Sequence, residues 1–257
     1  MIRVGVCGAG GRMGATACRA ITGDDALDLV AAVDPSAATQ IVGGVTVAAV
    51  VDEFAAAECE VVVDFTDAAA ARANVPVLLA QGIHTVVGTS GLTDVDLAAF
   101  AAATAAPESG HAIVAANFSI SAVLLMRLSE LVAPFFDTVE IIELHHDGKV
   151  DAPSGTAITT AQRIANASRD WAPDPTTRET IEAARGAVGP AGIHVHAVRM
   201  RGMVAHQEVI FGATGQTLTL RQDSYDRASF MPGVLLACKR IAEFRGLTIG
   251  LDALLDV

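Results

Sequence analysis

Short apolar runs alternate with alanine-rich segments through the first half of the chain. Apolar runs without polar alternation are typical of strands buried on both faces, and the alanine-rich segments favour helices. The pattern predicts strands at 2–6, 29–33, 61–65, 84–89 and 111–118, and helices at 14–22, 68–82 and 94–106. Pro76 is expected to kink the second helix or to delay its start. Strands that alternate with helices indicate an α/β domain with a parallel sheet covered on both faces.

The pattern changes after Phe118. It predicts a helix at 121–136 that stops near Pro134, a strand at 138–146, a helix at 156–170, and strands at 193–200, 205–214 and 216–224. The last strand alternates polar and apolar residues, as in a sheet with one exposed face. We therefore expect a smaller α+β domain with a mixed or antiparallel sheet.

A final apolar helix at 234–244 is expected to pack back on the first half of the chain. The predicted domains are accordingly 1–117 together with 228–257, and 118–227. The segment 171–192 is rich in Pro, Thr and Gly and is predicted to be a loop, with no role assigned to it.

Composition narrows the classes of function. Of the 257 residues, 52% are hydrophobic and 18% charged, and the formal net charge is −12. Such a chain is expected to be globular and to repel nucleic acids. No apolar run has the length of a membrane span. The four cysteines lack zinc-type spacing, which favours reduced core thiols in a cytoplasmic protein.

A glycine-rich turn follows the first predicted strand and opens the first helix. Its glycines are Gly8, Gly10, Gly11 and Gly14, a looser spacing than the strict dinucleotide-binding pattern, which would place the third glycine at Met13. Small residues there let a pyrophosphate approach the helix amides. A turn of this kind alone is a weak signal, and an ordinary glycine turn is the alternative.

The second predicted strand ends at Asp34, twenty residues after Gly14. A carboxylate at that position can accept hydrogen bonds from the adenosine ribose hydroxyls and would repel a 2′-phosphate. The sequence therefore predicts dinucleotide binding with NADH favoured, whereas Arg12 would permit NADPH. Phe65, Thr66 and the segment 88–90 follow two further strands at the same sheet edge, where they either line a cofactor or form ordinary capped turns.

The segment "ELHHDGKVDAPSGTA" concentrates positive charge at the end of a strand. His145 and His146 precede a turn to Lys149, and Gly155 and Thr156 lie in the first turn of the next helix. Imidazoles, an ammonium and free helix amides together suit a carboxylate ligand and proton transfer. The alternatives are a solvated strand end, a surface lysine and a simple helix cap.

A metal site is a further alternative because two other histidines, His194 and His196, share one face of a predicted strand. No carboxylate lies at helical spacing from a histidine pair, and no cysteine is near one. We therefore expect no bound metal and interpret His194 and His196 as residues of a sheet face.

Five motifs in order, "GAGGRMG", "DFT", "VGTSG", "AANFS" and "ELHHDGKVDAPSGTA", resemble the dihydrodipicolinate reductase family over essentially the whole chain. The last motif is the specific one. The resemblance implies a Rossmann-like nucleotide domain, a substrate domain that also builds a homotetramer, and a cytoplasmic location. It implies that Asp34 binds the ribose. The residues implied to contact the pyrophosphate are Gly8, Ala9, Gly10, Gly11, Arg12 and Met13. Those implied to line the nicotinamide end are Gly88, Thr89, Ser90, Ala115, Ala116, Asn117 and Phe118.

The resemblance also implies roles in the cationic segment. His145 would donate or accept a proton, Lys149 would donate one, and His146, Gly155 and Thr156 would bind the carboxylates of a small dianionic cyclic imine. The implied reaction is the NAD(P)H-dependent reduction of 4-hydroxy-tetrahydrodipicolinate in diaminopimelate and lysine biosynthesis. Pro35 stands where NADPH-preferring members often have arginine, which agrees with a preference for NADH. The alternatives are another imino- or amino-acid dehydrogenase and a non-enzymatic dinucleotide sensor.

Overall fold

The computed structural model describes residues 1–168 and 170–256, and the chain divides into two compact units. The first unit comprises Met1–Ile120 and Phe230–Val257, and the second comprises Ser121–Ser229. The second unit is therefore a continuous insertion in the sequence of the first.

Strands and helices alternate through the first part of the first unit. They are β1 (Ile2–Cys7), α1 (Arg12–Thr22), β2 (Leu27–Val33), β3 (Ile41–Val42), β4 (Val45–Ala48), α2 (Asp52–Ala56), β5 (Val61–Asp64), α3 (Ala68–Ala80), β6 (His84–Val87), α4 (Asp94–Ala103) and β7 (Ala112–Val114).

The second unit and the C-terminal part of the first unit, Phe230–Val257, supply the remaining elements. They are α5 (Ile120–Val132), β8 (Thr138–His145), α6 (Gly155–Ala167), β9 (Ala187–Val188), β10 (His194–Arg199), β11 (Ala205–Ala213), β12 (Gln216–Ser224), α7 (Met231–Arg240), β13 (Leu247–Ile249) and α8 (Asp252–Leu255).

The sheet of the first unit has the order β13-β7-β6-β5-β1-β2-β4-β3, and all its neighbours are parallel except β3 and β4. Its central strands are apolar and buried, as continuous Val-rich runs require. The register pairs Cys7 with both Val33 and Asp64, and Asp64 with Val87. Four strands therefore end at one level, so the turns that follow them share one edge.

Local signals set where the helices of this unit begin. The carboxylate of Asp67 accepts hydrogen bonds from the backbone N–H groups of Ala69 and Ala70, both at 2.9 Å, and starts α3. Thr93 and Asp96 form a capping box that starts α4. The predicted late start of α3 is wrong, because the helix begins at Ala68 and continues through Pro76.

The second unit has a mixed sheet in the order β12-β11-β8-β10-β9. Strand β8 is parallel to β10 and antiparallel to β11. Helix α6 buries one face, formed by Ala157, Ala161 and Ile164, in a core that includes Ile141 and Phe211. Strand β8 is central, so the residues at its end are held by neighbours on both sides.

The two-domain α/β fold class is confirmed, as are the five strands predicted in the first half. The short elements β3, β4, α2 and β13 were not predicted. The fifth predicted strand ends at Val114 and not at 118, because its pairing with both β6 and β13 ends there. Farther along, the Asn117 side chain accepts a hydrogen bond from the Ser119 N–H and turns the chain. Helix α6 ends at Ala167, and Arg169, which the prediction included, lies outside the described residues.

All four cysteines are free and buried. Burial raises the pKa of Cys7, at the end of β1, to about 12, so this thiol stays protonated and is a poor nucleophile at neutral pH. In the described ranges 1–168 and 170–256, none of the helices has both the length and the hydropathy needed to cross a bilayer.

Candidate active site

The glycine-rich turn joins β1 to α1 with very little space around its backbone. Gly8 has a positive φ of 78°, and the Gly11 N–H donates to the Gly8 carbonyl at 3.0 Å. A Cβ on Gly14 would lie 2.0 Å from the Gly8 oxygen. Position 14, and not position 13, is therefore where the helix contacts the turn, which explains the unusual glycine spacing. Gly11 is the N-cap and has no side chain, so the first amides of α1 are accessible to an anion.

A cavity of about 770 Å³ opens beside this turn, wholly within the first unit. Asp34 forms part of its wall. The Asp34 carboxylate accepts hydrogen bonds from the Gly10 N–H at 3.0 Å, and from the Ser36 N–H at 2.9 Å and hydroxyl at 2.6 Å. Burial opposes ionisation, but these hydrogen bonds outweigh it and lower the pKa of Asp34. The carboxylate is therefore ionised and held in place at the cavity wall.

Two threonines at neighbouring strand ends donate to one buried carboxylate. The hydroxyls of Thr66 and Thr89 lie 2.7 and 2.6 Å from Oδ1 of Asp64, which is 0% exposed. With their hydrogens directed at Asp64, both hydroxyl oxygens keep lone pairs that can accept hydrogen bonds. Within the described residues, Oδ2 of Asp64 has no hydrogen-bond partner. Asp64 was not among the residues predicted from the sequence.

The other predicted cofactor residues lie along the same edge of the sheet. Phe65 packs edge-on against Phe118 with ring centroids 6.0 Å apart, and a Cβ on Gly88 would lie 2.2 Å from the Phe65 ring. Ala115 continues the edge with a 3.0 Å hydrogen bond to the Val87 carbonyl. Ala9 is buried in the turn and Met13 is half-buried, whereas Gly10, Gly11, Arg12, Ser90 and Ala116 are exposed.

In the second unit, His145 ends β8 and is fixed by Glu143, two residues earlier on the same strand face. The carboxylate of Glu143 lies 2.5 Å from Nδ1 of His145 and makes a bidentate pair with Arg199 at 2.7 and 2.8 Å. Burial alone would raise the pKa of Glu143, but hydrogen bonds from Arg199, His145 and the Ser154 N–H lower it. Removing one partner of such a buried ion pair typically costs about 3–5 kcal/mol.

His145 has a depressed pKa. Burial is the largest cause, and the charges of Lys149 and Arg199 act in the same direction, against the opposing effect of Glu143. Because ionised Glu143 can only accept a hydrogen bond, Nδ1 carries the hydrogen and Nε2 is the nitrogen with a lone pair. His145 is thus a neutral imidazole whose Nε2 has a free lone pair and can accept a proton.

The turn after β8 brings the remaining predicted residues close to His145. The Lys149 N–H donates to the His146 carbonyl at 3.2 Å, and the Lys149 ammonium binds both carboxylate oxygens of Asp151 at 2.8 Å. Ser154 is the N-cap of α6 and accepts a hydrogen bond from the Ala157 N–H at 3.2 Å. Gly155 and Thr156 follow as the first residues of that helix. The predicted set therefore lies in one turn, residues 145–156, in which Lys149 is the cation and which leads into a helix N-terminus.

The histidines of β10 lie in a separate network. Nε2 of His194 lies 3.1 Å from Asp174, and Nε2 of His196 lies 2.6 Å from Glu140. Arg185 pairs with both of these acids. This network anchors the segment 171–192, which contains β9 within the predicted loop.

Glu143 and Arg199 were not among the residues predicted from the sequence, whereas the helix cap that Ser154 forms was one of the alternatives. A signal for Glu143 was present, since a carboxylate inside the apolar run before "HH" shares the face of His145. For Arg199 there was no such signal, because its place depends on the parallel pairing of β8 with β10.

Comparison with known proteins extends these observations. Family models described as "Dihydrodipicolinate reductase, N-terminus" and "Dihydrodipicolinate reductase, C-terminus" match residues 2–118 and 121–255. The 4-hydroxy-tetrahydrodipicolinate reductases of Corynebacterium aurimucosum and Mycolicibacterium vanbaalenii are 47% and 46% identical, with 100% of this chain covered and 99% and 100% of theirs. A dipicolinate-bound dihydrodipicolinate reductase from Paenisporosarcina sp. TG-14 superposes with a TM-score of 0.88 at 36% identity, over 98% of this chain and 99% of that one.

The nucleotide-type sheet, the glycine-rich turn and these matches define an NAD(P)H-dependent oxidoreductase. The resemblance seen in the sequence is confirmed. The chain belongs to the dihydrodipicolinate reductase family.

Proposed function

We propose that this protein reduces 4-hydroxy-tetrahydrodipicolinate to tetrahydrodipicolinate with a reduced nicotinamide cofactor, in the diaminopimelate route to lysine. The observation that carries the proposal is the turn at residues 145–156 of the second unit, where histidines and a lysine stand beside a helix N-terminus. In a chain with a net charge of −12, two histidines, a lysine and the start of α6 converge within residues 145–156. A small dianion is the ligand that such a site fits.

The first unit holds the cofactor in this proposal. The fit rests on the crowded glycine backbone, since a side chain at Gly8 or Gly14 would fill the space beside the α1 amides. Residues 8–13 contact the pyrophosphate and Asp34 the ribose, while residues 88–90 and 115–118 line the nicotinamide end. The acceptor hydroxyls of Thr66 and Thr89 suit ribose hydroxyl or carboxamide N–H donors. When bound, the reduced nicotinamide supplies a hydride.

The second unit holds the substrate and manages the proton. His146, Gly155 and Thr156 bind the two carboxylates. Loss of the ring hydroxyl as water gives a conjugated imine, and one hydride and one proton then add across it. His145 and Lys149 stabilise the negative charge that develops on the ring nitrogen, and one of them delivers the proton.

NADH is the preferred cofactor in this proposal. Three carboxylates, those of Asp34, Asp52 and Asp67, line the cavity of the first unit. A 2′-phosphate beside them would meet electrostatic repulsion. Arg12 is exposed at the mouth of the turn and supplies a weaker opposing attraction.

Replacing Asp34 by alanine is expected to lower the ratio of kcat/KM for NADH to that for NADPH by about tenfold or more, equivalent to about 1.4 kcal/mol. The change removes both the ribose acceptor and the repulsion. Steady-state rates with both cofactors measure the ratio. Asp25→Ala removes the same charge from an exposed position just before β2 and is the matched control. An unchanged ratio in Asp34→Ala would remove Asp34 from cofactor selection.

The protein is also proposed to act in the cytoplasm as a homotetramer built through the second unit. The support is the family membership, together with the edge position of the nine-residue strand β12 in its sheet. Light scattering coupled to size-exclusion chromatography is expected to give about four times 26.3 kDa. A monomeric mass would contradict the tetramer and leave the reaction untouched.

A coupled spectrophotometric assay tests the reaction. The preceding synthase makes the substrate in the cuvette from pyruvate and aspartate semialdehyde, and the loss of NADH or NADPH is followed. Fast oxidation that requires the synthase supports the proposal. No oxidation, with NADH binding still measurable by calorimetry, would point to another imino acid as the substrate.

A further inference from the structure

The carboxylate of Glu143 links three segments of the second unit: the end of β8, the end of β10 and the start of α6. It is 0% exposed, and its two oxygens are shared by four donors. These donors are Nδ1 of His145 at 2.5 Å, the two terminal nitrogens of Arg199 at 2.8 and 2.7 Å, and the Ser154 N–H at 3.0 Å. One side chain therefore fixes the end of β8, the end of β10 and the residue that caps α6.

Arg199 extends this framework to the turn. Besides Glu143, its guanidinium donates to the Asp151 carbonyl at 2.7 Å, and Asp151 in turn binds the Lys149 ammonium. Arg199 also neutralises Glu143. Without that neutralisation, a buried carboxylate 2.5 Å from an imidazole would favour the charged imidazolium.

We propose that Glu143, held and neutralised by Arg199, is a positioning residue that keeps His145 as the Nδ1–H tautomer and sets the first turn of α6. Glu143 itself touches neither substrate nor cofactor. Its effect on the rate rests on the proposed function, whereas its effect on the His145 tautomer does not.

Glu143→Gln tests the proposal by removing the charge while keeping the shape. A glutamine amide can donate to Nδ1 as well as accept from it, so the tautomer is no longer dictated. We expect kcat to fall by about 10–100-fold with a smaller change in KM, by analogy with the loss of residues that orient metal-bound histidines. The NADH dissociation constant, a property of the first unit, is expected to stay within about twofold.

The pH profile gives a second readout. The charged and titratable groups around His145 are Glu143 on its own strand, Arg199 on β10, and His146, Lys149 and Asp151 in the turn. Glu143 raises the pKa of His145 whereas Arg199 and Lys149 lower it. In Glu143→Gln the His145 limb of the kcat profile is therefore expected at lower pH than in the wild type.

The tautomer is read directly by nitrogen-15 NMR of the histidine rings. The seven histidines are labelled, and His145 is assigned with a His145→Gln variant. At a pH where the ring is neutral, the wild type is expected to show hydrogen on Nδ1 and Glu143→Gln to show the other tautomer or a mixture. An Nε2–H tautomer in the wild type overturns the proposal.

The control is Glu140→Gln, on the same strand, where the carboxylate also pairs with an arginine and a histidine, Arg185 and His196. It is expected to leave kcat and the pH profile unchanged. Should Glu143→Gln not fold, the double variant Glu143→Gln/Arg199→Met avoids a partly buried guanidinium that has lost its carboxylate partner. We expect it to restore folding and the position of the pH limb but not kcat.

The failures of the two proposals are distinguishable. A wild-type protein that binds NADH but does not oxidise it with the substrate contradicts the proposed function, while the nitrogen spectra still report the role of Glu143. A folded variant with wild-type kcat, pH limb and His145 tautomer overturns the role of Glu143 and leaves the function standing.

Discussion

Replacing Lys149 by alanine is expected to lower kcat by about 100-fold or more, the range in which a positioned acid contributes. Lys149 is one of two lysines in the chain, and its ammonium lies in the turn at residues 145–156, 2.8 Å from Asp151. The change removes the proposed proton donor and also leaves the Asp151 carboxylate without its lysine, close to where the dianionic substrate is proposed to bind. KM is therefore expected to rise together with the loss of kcat.

A double variant separates the two effects. Lys149→Ala/Asp151→Ala removes the added repulsion, so KM is expected to recover while kcat stays low. The control is the other lysine, in Lys239→Ala, which loses only an exposed ion pair with Asp24 in the first unit. The measurements are steady-state kcat and KM in the coupled assay, with NADH affinity as the check of folding. A near-wild-type kcat in Lys149→Ala would exclude Lys149 as the proton donor.

Replacing Gly14 by alanine is expected to abolish measurable cofactor binding at millimolar NADH and to lower the melting temperature by several degrees. The added Cβ would lie 2.0 Å from the Gly8 oxygen and 2.6 Å from the Gly8 carbon. These are backbone atoms, so the turn must move away from the helix. A move of this kind displaces the amides that receive the pyrophosphate. Overpacking alone typically costs about 1–3 kcal/mol.

Gly23→Ala is the matched control because Gly23 ends the same helix. Its φ is −89°, and the nearest atoms to an added Cβ are 3.5 and 3.7 Å away. This variant is expected to bind NADH normally. Isothermal titration calorimetry and a thermal melt measure both effects. Tight NADH binding by Gly14→Ala would show that the close contact between turn and helix is not required for the cofactor.

Much of the first unit could be predicted because its signals are local. The strands β1, β2, β5 and β6 are continuous apolar runs, and the turn after β1 carries its own glycines. Segments β3, β4 and β13 have two to four residues, too few to show a period, and pairing within the sheet determines them. Helix α2 is also short, with five residues.

The chemistry of the second unit was partly visible for the same reason. His145, Lys149 and Gly155 lie within eleven residues of one another in a recognisable motif. The residue that orients His145 is just as near, but its importance depends on burial and on Arg199, which lies 56 residues away from Glu143 in sequence. Strand register between β8 and β10 brings the pair together, and register is set by tertiary packing.

The C-terminal part of the first unit, Phe230–Val257, affects the order in which the protein folds during synthesis. Strand β13 pairs with β7, although more than 130 residues separate them, and it completes the sheet of the first unit. The second unit is one unbroken stretch, Ser121–Ser229. During synthesis from the N-terminus, the whole second unit therefore leaves the ribosome before the first can close its sheet edge. Until then, β7 is paired with β6 on one side only, and its other edge is open to chaperones or neighbouring chains.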